Sequence, residues 1–187
     1  SRTQGEAGTA LLALAVSAFR QALTVHTKQA LPQDWAKTQN NLGTALWDQA
    51  SRTQGEAGTA LLGLAVSAFR QALTVQTKQA LPQDWAMTQN NLGNALGDQA
   101  GLTQGEAGTA LLGLAVSAFR QALTIYTKQA LPQQWAATQN NLGNALWKQA
   151  SLTQGEAGTA LLGLAVSAYR EALTVRTKQA LPQDWAG

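Results

Sequence analysis

The chain has 187 residues, of which 45% are hydrophobic and only 12% charged, and 13 cations against 10 anions leave a formal net charge of +3. The apolar content suffices for a buried core, and the small, evenly spread cationic excess does not mark a nucleic-acid binder. The absence of cysteine excludes disulfides and thiolate-held metals, no unbroken apolar run of about eighteen residues marks a membrane span, and no signal-peptide pattern follows Ser1.

Self-similarity organises the rest. Residues 1–50, 51–100 and 101–150 are near copies, and 151–187 is a truncated fourth. The first two copies differ at five positions: Ala13/Gly63, His26/Gln76, Lys37/Met87, Thr44/Asn94 and Trp47/Gly97. A period of this length means stacked units, each unable to bury its own apolar stripe alone. Because the chain opens and closes part-way through a unit, it is expected to be a fragment of a longer array.

Taken in chain order within the second copy, the first predicted element is a long helix over about 55–80. Leu61, Ala65, Ala68, Ala72 and Val75 follow helical spacing, and Leu62, Val66, Phe69 and Leu73 form a row beside them. At ~1.5 Å per residue such a helix is about 38 Å long. Thr53 and Glu56 have the spacing of a capping box, which assigns Glu6, Glu56, Glu106 and Glu156 to capping. The second element is a shorter helix from Pro82 to about Ala100. Proline is tolerated in the first turn, and Asp84 suits the positive end of the helix dipole. Trp85, Thr88, Leu92, Ala95 and Leu96 give its buried side. Gly43, Gly93 and Gly143 sit mid-helix at a cost of about 1 kcal/mol relative to Ala, which predicts close approach of the partner helix. No strand pattern is present.

Trp85, Leu92-Gly93, Ala65, Phe69, Ala72 and Pro82 fall in an order that resembles the tetratricopeptide repeat. Trp35, Leu42-Gly43, Ala115, Phe119, Ala122 and Pro132 match in other copies. The resemblance implies an all-α, right-handed alpha-solenoid of stacked helix-turn-helix units, treated as one array over 1–187. The departure is the period, 50 residues here against about 34 in the family. The surplus falls mainly at Ala50–Thr59 and Thr77–Leu81.

The letters that change on the shorter helix share or border one face. They are Lys37/Met87/Ala137, Thr44/Asn94/Asn144, Trp47/Gly97/Trp147 and Asp48/Asp98/Lys148. The resemblance implies that this helix lines a concave groove. Beside these positions run Asn40, Asn90 and Asn140, with Asn41, Asn91 and Asn141. Amides offer both donors and acceptors to an extended peptide, and Trp47 and Trp147 offer anchors. The competing reading makes the changing positions solvent-facing drift and has Asn, above all Asn41 and its equivalents, bond the neighbouring helix.

His26, Gln76, Tyr126 and Arg176 occupy one position and predict an exposed site without catalysis. Trp35, Trp85, Trp135 and Trp185 are expected at unit junctions. Arg20/Lys28, Arg70/Lys78 and Arg120/Lys128 are expected on a solvated face. No phosphate loop, metal-ligand spacing or serine elbow is present. The expected function is a protein-interaction scaffold binding a peptide or partner protein, without enzyme activity or cofactor. The alternative is a structural array that self-associates end to end. Neither a nucleic-acid nor a membrane partner is expected, and the expected location is cytoplasmic.

Overall fold

The computed structural model describes residues 2–103 and 105–175, so Trp185 and Arg176 lie outside the described residues. Within them the chain is all-helical, with α1 (Arg2–Val25), α2 (Pro32–Ala50), α3 (Gly55–Leu73), α4 (Pro82–Gly101), α5 (Gly105–Ala122), α6 (Pro132–Ser151) and α7 (Gly155–Leu173). We call α2, α4 and α6 the A helices and the others the B helices.

The A helices begin where the sequence places them, each with proline at the first turn. The B helices are shorter than expected. α3 ends at Leu73 rather than near Ala80, so A and B helices are of nearly equal length, 19 residues each in α2 and α3. The apolar spacing continues to Val75, but the backbone does not. Thr74 and Val75 switch to i→i−3 bonds on Gln71 and Ala72, as last turns commonly do. Thr74 Oγ1 also donates to the Gln71 carbonyl at 2.7 Å. A separate turn then forms, in which Leu81 N–H donates to the Thr77 carbonyl and Thr77 Oγ1 accepts from Ala80 N–H. The surplus at Thr77–Leu81 is therefore connection, not helix.

The capping box does not form either. Gln54 precedes α3 without a side-chain cap, and Thr53 Oγ1 donates backward to the Gln49 carbonyl at 2.8 Å. The sharp A-to-B reversal is made instead by Gly55, whose φ of 67° is open to glycine at little cost. Gly105 and Gly155 repeat it.

Each A helix packs most extensively on the B helix that follows it, and less on the one before. The expected close approach is present. A Cβ on Gly43 would lie 2.7 Å from the Phe69 ring, and Gly93 meets Phe119 in the same way. One core runs from Val16 of α1 through Leu46, Phe69, Leu96, Phe119 and Leu146 to Ala168 of α7. Consecutive A helices touch, whereas among the described residues no two B helices do.

The apolar stripe on α7 is bare on one side. Leu112 and Val116 of α5 are 2% and 6% exposed beneath α6, while their equivalents Leu162 and Val166 are 44% and 47% exposed. At the other end α1 exposes Leu11 and Val25. Its stretch Gly8–Val25 has a mean hydropathy of 1.4 and is long and apolar enough to cross a membrane. This departs from the sequence expectation. Nearly the same sequence in α3 and α5 is a core helix between two A helices, and only one side of α1 is so covered.

Candidate functional site

The face of the A helices gathers most of the changing residues, and hydrogen bonds join one helix to the next. Asn91 Nδ2 donates to Asn40 Oδ1 and Asn141 Nδ2 to Asn90 Oδ1, both at 3.3 Å. Thr88 reaches the same Asn40 oxygen at 3.0 Å, and Thr138 reaches Asn90 at 3.2 Å. Asn40 Nδ2 donates to Asn41 Oδ1. The asparagine ladder exists, and its bonds from Asn91 and Asn141 run between helices. Asn40 is buried, and its carbonyl oxygen already accepts two bonds. Thr44 Oγ1 is turned back onto the Asn40 main-chain carbonyl.

A second line of contacts crosses the same face. Trp47 Nε1 donates to Asp98 Oδ2 at 2.8 Å, and Lys148 Nζ stands 3.9 Å from Asp98 Oδ1. The letters at these two positions change together. Trp47 reaches a carboxylate 51 residues on, at Asp98. The second copy has Gly97 instead of tryptophan, and the residue 51 further on is Lys148 instead of aspartate. Asn94, Asn144, Asp98 and Lys148 border a cleft of about 100 Å³ beside Gly97. Tyr169 Oη donates to Asn144 Oδ1 at 2.8 Å. Burial raises the Tyr169 hydroxyl above its ordinary pKa.

The remaining groove residues are not brought together. Lys37 and Met87 are exposed near the starts of their helices, and Ala137 is half-buried. The Asp48 side chain is exposed, and its main-chain carbonyl accepts from Ser51. Asn140 is half-buried without a bond among the described residues, and Trp147 is exposed.

The position of His26 is not the exposed site that its variability predicts. Gln76 and Tyr126 are buried and His26 half-buried. The turn after each B helix folds this side chain inward. His26 Nδ1 lies 3.3 Å from Thr38 Oγ1, and Gln76 Oε1 lies 2.7 Å from Thr88 Oγ1. Thr88 has one proton for two oxygens, and Gln76 Nε2 is a buried donor without a partner. Turning the amide over lets Gln76 donate to Thr88 and Thr88 donate to Asn40. Tyr126 instead packs with Ala86, Trp85 and Trp135, bridging two units. Burial and the nearby Asp84 carboxylate raise its hydroxyl above the ordinary 10.0. The variation is a set of different fillings of one junction.

Trp35 is buried, and Trp85 and Trp135 are half-buried. Lysine ammoniums lie over all three rings, at 5.3 Å for Lys28–Trp35, 5.9 Å for Lys78–Trp85 and 5.5 Å for Lys128–Trp135. Arg20, Arg70 and Arg120 are exposed, as are Glu56, Glu106 and Glu156. Among the described residues no three His, Cys, Asp or Glu side chains cluster to hold a metal ion. Sequence reasoning did not single out Gln76, Thr138 or Tyr169 for the site. The signal that was available is the paired change of Trp to Gly and Asp to Lys at a fixed offset of 51. No family model, curated protein or solved structure matches the chain.

Proposed function

We propose that this chain is an interaction scaffold of the tetratricopeptide-like class, a right-handed alpha-solenoid whose A-helix face holds a peptide or partner protein. The observation that carries the reading is the row of consecutive A helices in mutual contact. It presents Asn94, Asn144, Asp98 and Lys148 around an open cleft, with Trp147 exposed beyond it. The buried asparagine–threonine bonds fix the spacing of the helices. The partly exposed groups are left to meet a ligand. The proposed role is binding without chemistry. A displayed peptide library panned on the protein is the test. Selected peptides should lose affinity for Lys148→Glu and Asn144→Asp, and equal binding by both variants would sink the groove.

A second reading is favoured by the bare α7 stripe. Leu162 and Val166 are exposed where their α5 equivalents are covered by an A helix, and exposed apolar solenoid ends tend to associate. Light scattering over a wide concentration range should then show growing oligomers, and a monomer at every concentration would count against it.

A further inference from the structure

The cleft beside Gly97 opens at the position where the copy before it carries a tryptophan, Trp47. Trp47 crosses from α2 to α4, packs against the core and donates to Asp98. Position 97 is one repeat further on, and the equivalent target is Lys148 on α6. Between them lies the cleft of about 100 Å³, bordered by Gly93, Gly97, Phe119, Asn144 and Lys148. An ideal Cβ on Gly97 would meet nothing within 4 Å. The backbone around it is otherwise that of a tryptophan-bearing helix, as Trp47 and Trp147 demonstrate at the same position.

We propose that this cleft is a slot for the indole side chain of a tryptophan in a partner peptide. The inference rests on the groove reading and names what the groove selects. The ring enters from solvent where Trp47 enters from its own helix. The floor is the Gly97 backbone, and the Phe119 ring forms the inner wall. Lys148 supplies the chemistry that replaces the missing carboxylate. Its ammonium, loosely held by Asp98 at 3.9 Å, favours an electron-rich aromatic face over an aliphatic group. The chain already pairs lysine with indole in this way at Lys28–Trp35, Lys78–Trp85 and Lys128–Trp135. Asn144 Oδ1 and the Asp98 carboxylate line the cleft and, besides the bonds they accept from Tyr169 Oη and Trp47 Nε1, have lone pairs for an indole N–H.

The experiment uses the whole chain and a five-residue peptide, acetylated and amidated, with 5-fluorotryptophan at its centre and alanines on either side. Fluorine NMR reads the peptide, and amide shifts of the isotopically labelled protein read the site. Saturable binding should move the Gly97 and Asn144 backbone amide signals. An all-alanine peptide should move neither. Gly97→Trp fills the slot from within and should weaken binding at least about tenfold while leaving the circular dichroism spectrum intact. Undiminished affinity in that variant overturns the proposal. So does binding to the unaltered protein that leaves Gly97 and Asn144 unmoved, which needs no variant to fold. Shifts confined to other A-helix residues would remove the slot and leave the groove standing. No saturable binding removes the slot too, and the groove is then judged by the panned peptides alone.

Discussion

Helices α5 and α7 have nearly the same sequence and opposite fates. Over 105–122 and 155–172 they differ only at Phe119/Tyr169 and Gln121/Glu171. Yet Leu112 is buried and Leu162 is not, because α6 covers one and no described helix covers the other. The apolar stripe on a B helix is thus wide enough for two neighbours, and burial belongs to the joint rather than to the helix. Stability should accordingly be distributed by position in the array, not by local sequence.

The largest way to break that comparison is to truncate the same residue twice. Leu112→Ala should cost roughly 2–4 kcal/mol through a cavity between α5 and α6, and Leu162→Ala less than about 1 kcal/mol. Amide hydrogen exchange in each helix measures both without assuming all-or-none unfolding. Equal losses would show that the covering helix is not what buries Leu112.

Adding a methyl group sharpens it next. Gly93→Ala drives a Cβ to within 2.7 Å of the Phe119 ring and should destabilise by about 1–3 kcal/mol. Gly163→Ala meets nothing within 4 Å and should stabilise α7 by about 0.5–1 kcal/mol. The first copy already carries Ala13 there. Thermal melts with opposite signs are the expected result.

A smaller effect belongs to the tryptophans. Trp47→Phe removes the bond to Asp98 and should cost about 0.5–1.5 kcal/mol, whereas Trp147→Phe, with no described neighbour to bond, should cost next to nothing. A denaturant titration of both variants reads the difference.

The smallest concerns alkali. Tyr126 has its hydroxyl pKa raised on folding, so the stabilisation is fully present below the unfolded value of 10.0 and is lost as pH rises through the folded value. Relative to Tyr126→Phe, the unaltered protein should lose melting temperature as pH climbs from 10.0 through the folded value. Parallel pH profiles for the two would refute it.

Much of this was legible in the sequence, and the failures have physical causes. The prolines at 32, 82 and 132 mark each A-helix start because each pre-sets a first turn. Gly43, Gly93 and Gly143 mark close contact, because a Cβ at each would run into an aromatic ring of the paired helix, whereas Gly97 and Gly163 show that a helical glycine alone does not. The end of α3 was not legible, since Leu73 and Val75 continue the apolar spacing past the point where threonine hydroxyls take over the backbone bonds. The junction at His26, Gln76 and Tyr126 was misread because variation resembles exposure. There each copy fills the same buried space differently. The groove letters were legible as a face but not as partners. Spacing along one helix says nothing about Trp47 meeting Asp98, which takes two helices to see.

Because consecutive A helices touch and B helices do not, the chain has a preferred way to deform. Openings of about 550 Å³ beside Glu56 and Leu102, and about 800 Å³ beside Glu106 and Leu152, separate the first turns of a B helix from the next unit. Among the described residues no main-chain bond outside the helices crosses them, while the row α2, α4, α6 is tied together by its asparagines. In mechanical terms the A-helix row is the neutral line of a flexing strip. A ligand seated along that line is barely strained as the strip bends, and one wedged between units on the far side would set its curvature.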